Sequence, residues 1–179
     1  LEIRRELLVP DDPVIADSLT ALAGYHRFVG EYTEAQRLYE GLGNTYYSAR
    51  MLLRMAIQQT NSRDYIGGEI ATIKAIELLL PLKKYYHLYG CYNNLGIIFN
   101  ELGEYDNALL YHNQALEYSR KTDKRTELEL ITLNNIGVVY KNQEKYRKAI
   151  EKYQEALQYN TLHIKHPKWE ATLLDNIAY

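Results

Sequence analysis

Two asparagine pairs, Asn93-Asn94 and Asn134-Asn135, recur 41 residues apart in like surroundings, Tyr92-Asn93-Asn94-Leu95-Gly96 and Leu133-Asn134-Asn135-Ile136-Gly137. Asp175-Asn176-Ile177-Ala178 continues the series after a further 41 residues. A primary amide donates and accepts, so amides at a fixed period can pair with the N–H and C=O of an extended peptide without reading its side chains. A second reading stands beside this one: each Asn bonds to a neighbouring helix and orders the stack. Arg50 and Arg54, four residues apart, could grip an acidic side chain or a C-terminal carboxylate. Their alternative role is a solvated face with local ion pairs.

Reaction chemistry is missing from the same inventory. Ser, His and Asp occur without a nucleophile motif, Gly67-Gly68 is not part of a phosphate loop, and no glutamate pair recurs in acid–base fashion. His163 and His166 have a spacing that metal sites use but no cysteine near them, so no metal is expected. Cys91 reads as a small packing residue. The expectation is a non-enzymatic chain without cofactor.

Helices must carry these residues. The opening, 1–8, reads as the later part of a helix, which Pro10 and Pro13 break, with Asp12 suited to cap the next one. That helix should bury Leu19, Leu22, Ala23 and His26. Gly30-Glu31-Tyr32 is expected to turn, with Thr33 and Gln36 as a capping box for a helix bearing Ala35, Leu38, Tyr39 and Leu42. A break follows at 43 or 44, beside Gly41 and Gly43. A degenerate unit then places Leu52, Met55, Ala56 and Gln59 on one helix and Tyr65, Gly68, Thr72 and Ala75 on the next. Residues 61–64 turn between them, and Pro81 ends the second. The two clear units turn at 101–104 and 142–145.

One small residue marks each first helix, Ala23, Ala56, Gly96, Gly137 and Ala178, at intervals of 33, 40, 41 and 41. Antiparallel helices approach closely only where a side chain is small, and Ala108 or Ala149 is expected to supply the matching gap. The 18 tyrosines should wedge between helices with their hydroxyls at the wet rim. The resulting frame is a single array: the end of a preceding repeat at 1–12, repeats at 13–48, 49–88, 89–129 and 130–170, and the start of a fifth at 171–179.

Tyr92, Leu95, Gly96, Phe99 and Ala108 in one unit, Leu133, Ile136, Gly137, Tyr140, Ala149 and Tyr153 in the next, and Leu19, Leu22, Ala23, Ala35 and Tyr39 in the first resemble the tetratricopeptide repeat family. The period of about 40–42 residues is similar to the long-repeat subgroup of kinesin light chain, Pins-type adaptors and bacterial peptide-sensing regulators. The resemblance implies an all-α fold, an α-α superhelix of antiparallel hairpins whose first helices line a concave groove for peptides or partner helices. It places Asn93, Asn94, Asn134, Asn135, Asn176, Arg50, Arg54, Ile97 and Val138 in that groove, with Tyr179 adding to its apolar floor. The two-carboxylate clamp of chaperone-tail-binding relatives is rejected, because Thr20, Gly24, Leu53 and Ile57 hold the places where its Lys and outer Asn belong.

The bulk composition bounds the partners. A net charge of −2 and a pI near 6.2 with scattered Lys and Arg argue against nucleic acid, and the runs Arg4-Arg5 and 121–125 read as solvated helix ends. No apolar run spans a membrane, no signal peptide opens the chain, and a single cysteine leaves the compartment open, with a cytoplasmic site favoured. Lacking an initiator Met, the chain reads as a piece of a longer protein, an adaptor or sensory segment. The alternative is a structural spacer or oligomerisation array, with weak dimerisation through the cut repeat ends.

Overall fold

The computed structural model describes Val14, Asp17, Ser18, Thr20 and Ala21, then residues 29–123 and 125–178. The expected helix at 1–8, its break at Pro10 and Pro13, the Asp12 cap, the stripe Leu19, Leu22, Ala23 and His26, and positions Gly24 and Tyr179 lie outside these residues. The segments run α1 (Val29–Gly41), α2 (Thr45–Asn61), α3 (Tyr65–Leu79), α4 (Tyr85–Glu101), α5 (Tyr105–Ser119), α6 (Arg125–Asn142), α7 (Tyr146–Tyr159), a π-helical turn (Asn160–Ile164) and α8 (Pro167–Ala178). No strand occurs among the described residues. The fold class is an all-α solenoid of helix hairpins.

Five connections use one backbone device. A residue with positive φ follows each helix end: Gly43 (67°), Arg63 (65°), Lys83 (51°), Gly103 (77°) and Glu144 (59°). The next N–H reaches back five residues, as from Glu104 to the Phe99 carbonyl at 2.8 Å and from Lys145 to the Tyr140 carbonyl at 2.9 Å. This left-handed stop satisfies carbonyls that the helix leaves unbonded and reverses the chain. Asn44 and Asp64 then cap α2 and α3, their side chains accepting from the N–H groups of Tyr47 and Gly67.

The chain divides into two units between His87 and Leu88. In the first, α1 packs on α2 and α2 on α3. Tyr32, Ala35, Leu38, Tyr39 and Met51 form a core cluster there. The turn expected at Gly30-Glu31-Tyr32 is instead the first turn of α1. Tyr32, Ala35 and Tyr39 share one helical face, and their burial outweighs the small cost of a glycine near a helix end. Thr33 and Gln36 are therefore interior residues of α1 and form no capping box. Gln36 donates to Glu40 at 2.9 Å and to Ser48 at 3.1 Å. The degenerate unit forms a hairpin, with Leu52, Ala56, Gly68, Thr72 and Ala75 all buried.

In the second unit α5 packs on α6, α6 on α7 and α7 on α8. The hairpin glycines meet rings. A Cβ at Gly96 would stand 2.5 Å from His112, and one at Gly137 2.4 Å from Tyr153. Ala108 and Ala149 are buried too, but the space left by each glycine is filled by an aromatic ring one turn further on, so no second gap is needed. Stacked pairs Tyr92–Tyr118 and Phe99–Tyr111, with centroids 5.1 and 5.2 Å apart, continue the packing of α4 on α5. Tyr153 departs from the expected wet rim: its hydroxyl is buried without a hydrogen bond among the described residues. The helices that open hairpins start at Thr45, Tyr85, Arg125 and Pro167, four or five residues ahead of the frame 49, 89, 130 and 171, which is a matter of where the period is cut.

Candidate interaction surface

In the second unit, α6 and α8 carry the asparagine series onto facing positions. Asn135 Nδ2 donates to Asn93 Oδ1 at 2.9 Å, and Asn176 Nδ2 donates to Asn134 Oδ1 at 2.9 Å. A third rung joins Asn142 Nδ2 to Asn100 Oδ1 at 3.0 Å. All three rungs span 42 residues, one more than the repeat, because the donor sits one position beyond the acceptor's counterpart. The amides thus tie successive first helices together. Each rung uses one donor and one acceptor of groups that have two of each, and Asn93, Asn134, Asn135 and Asn176 are only partly buried.

Asn94 behaves otherwise. At 4% exposure it is buried among the packing residues of α4, so it is removed from the set that a peptide could touch. Adjacent positions of a helix point about 100° apart, which is how Asn94 turns inward while Asn93 does not; Asn134 and Asn135 both stay partly buried. Ile97, at 36% exposure, stays at the surface, and Val138 is half-buried against the Leu130–Leu133 cluster. Asn134 opens onto a cavity of about 450 Å³ whose other walls include Lys168, Trp169 and Thr172 of α8.

In the first unit, Arg50 and Arg54 lie on α2 beside a cavity of about 420 Å³. Leu53, Ile57 and Tyr32 give it apolar walls, and Tyr86 and His87 close one side. Arg50 stacks over the Tyr46 and Tyr47 rings, 5.6 and 5.1 Å from their centroids, and Lys84 lies 4.9 Å from the Tyr46 centroid. Neither arginine has a carboxylate partner among the described residues. Burial, and then the charges of Arg50, Lys84 and Arg54, hold the His87 imidazole down to about 4, so it is neutral at pH 7.

Glu129 and Asn160 belong to no periodic series in the sequence. Glu129, 5% exposed in its side chain, accepts from Arg120 at 3.0 Å, from Arg125 at 3.1 Å and from the Tyr159 hydroxyl. Burial pushes its carboxyl up, but those three partners outweigh it and hold the group below its ordinary value. Asn160, fully buried, clasps His166 by donating to its carbonyl and accepting from its N–H, both at 3.1 Å. His163 lies against the Tyr159 ring. Cys91 is fully buried, and burial pushes its thiol up to about 12. No group of three metal-ligating side chains occurs among the described residues.

The tetratricopeptide repeat family model matches residues 89–160. Those residues are tetratricopeptide repeats. Such repeats mediate protein–protein interaction and are typically non-enzymatic scaffolds. No curated protein matches the chain in sequence. Among solved structures, the crystal structure of BtubC (BKLC) from P. vanneervenii has the same fold, with a TM-score of 0.74 at 21% identity over 86% of this chain. The chain spans 65% of the length of that structure. No helix among the described residues is long and apolar enough to cross a membrane.

Proposed function

We propose that this segment is a non-enzymatic interaction module that holds a peptide or a partner helix on the sides of its first helices, as an adaptor or sensory part of a larger protein. The observation that carries the reading is where two cavities, of about 420 and 450 Å³, lie: each is lined chiefly by first helices, α2 and the start of α4 in one unit, α6 and α8 in the other. The unused amide valences of Asn93, Asn134, Asn135 and Asn176 suit backbone contact, while Ile97, Val138 and Trp169 suit apolar anchors. The likeness in period to kinesin light chain and Pins-type adaptors supports an adaptor role.

The test is a phage-displayed peptide selection against the isotopically labelled chain, followed by chemical-shift mapping of the selected peptides. Shifts clustered on Asn93, Ile97, Asn134 and Val138, or on Arg50 and Arg54, are expected. Selection without enrichment, or shifts confined to α3, α5 and α7, would overturn the reading. A specific observation favours a second reading, a spacer array: all three asparagine rungs are spent on ordering the stack. Under it, no peptide is enriched, and sedimentation shows association that falls on dilution.

A further inference from the structure

The cavity beside Arg50 and Arg54 has a composition that ordinary packing does not account for. Three cations, Arg50, Arg54 and Lys84, gather around His87 without an acidic residue lining the cavity and without an ion pair among the described residues. Like charges kept this close cost free energy in each other's field unless something negative joins them. Arg50 is oriented by stacking on Tyr46 and Tyr47, which leaves its N–H edge free to meet an oxyanion. Arg54, one turn on, is exposed and points a second fork to the same cavity. Leu53, Ile57 and the Tyr86 ring supply apolar surface to the cavity, beside the polar Gln58 and Asn61.

We propose that this cavity is a binding site for a phosphorylated side chain, the phosphoryl group held by Arg50 and Arg54 with Lys84 nearby, and the carbon stem or ring resting on Leu53, Ile57 and Tyr86. A doubly charged group answers three cations better than a single carboxylate does, and guanidinium forks match phosphoryl oxygens in pairs. A neutral imidazole still offers one N–H, so His87 can add a neutral hydrogen bond. The ligand's class rests on the interaction reading above, since a phosphorylated side chain belongs to a protein partner. The site itself does not depend on the asparagine face.

Small probes separate the two. The labelled chain is titrated with phenyl phosphate, O-phosphoserine, phenylacetate and benzyl alcohol, following the Arg50 and Arg54 side-chain N–H and the His87 ring resonances. Saturable shifts with phenyl phosphate or O-phosphoserine, at least several-fold tighter than with phenylacetate, are expected. Arg54→Gln should weaken them about tenfold or more, and Arg54→Lys should restore part of the loss. The relative affinity of the two phosphates identifies an aryl or an alkyl side chain. With the cavity filled, the His87 titration midpoint should rise from about 4, because the anion offsets Arg50, Lys84 and Arg54. Arg54 is exposed, so its replacement leaves the fold intact, as an unchanged melting temperature would verify. The proposal is overturned if neither phosphate binds, if phenylacetate binds as well, if benzyl alcohol gives the same shifts, or if Arg54→Gln leaves affinity unchanged. A failed peptide selection with phosphate binding retained would count against the interaction reading alone.

Discussion

At the scale of single residues, the hairpins depend on a glycine facing a ring. Gly137→Ala sets a methyl 2.4 Å from the Tyr153 ring, in a core with no room to give, and should cost about 1–3 kcal/mol in urea unfolding. Gly30→Ala is the control: nothing lies within 4 Å of the new Cβ, so stability should hold or rise slightly. His112 plays the ring against Gly96 but is an ionisable one. Burial lowers it from 6.5 to about 4, so between those values the unfolded chain binds a proton that the folded chain does not. The native state therefore loses stability as pH falls from 6.5 towards 4, by up to about 3 kcal/mol from this group. His112→Phe should flatten that part of the stability–pH curve, read from urea melts at pH 7 and pH 5.

At the scale of elements, the devices are the left-handed turn and the asparagine rung. Gly103 stops α4 at φ 77°, a conformation that disfavours any side chain, and Gly103→Ala should lower stability by about 1 kcal/mol. Glu144 occupies the same place after α6 with a Cβ, so Glu144→Gly should raise stability by a fraction of that. The rung Asn93–Asn135 should show a coupling of about 0.5–1.5 kcal/mol in a double-mutant cycle of alanine variants. Much of this level was legible beforehand. The sequence predicts turns at residues 61–64, 101–104 and 142–145, and each holds a left-handed residue. The start of α1 departs from the expected turn because Gly30 is a local signal, whereas the burial of Tyr32 is set by its partners. Bonding of the asparagines to neighbouring helices is one of the two readings that the sequence supports, but its register is not legible: a search at the repeat period pairs Asn93 with Asn134, whereas the bonds run to the neighbouring asparagine, one position later.

At the scale of the whole molecule, a chain with a net charge of −2 keeps a local cluster of cations on α2 and the turn before α4, without an ion pair among the described residues. Sequence disclosed Arg50 and Arg54 as a pair, because both lie on one helix. It did not disclose Lys84 and His87 as their companions, since that depends on how α4 begins against α2 and on no periodicity in either. Likewise Glu129, Arg120, Arg125 and Tyr159 come from three elements and converge only on folding. The central claim is that partners are held on the sides of the first helices. Hydrogen exchange of the chain with and without a peptide enriched by selection tests it most directly. Slowed exchange in α2 and α4, or in α6 and α8, with α3, α5 and α7 unchanged, is the predicted result. Protection confined to α3, α5 and α7 would contradict it.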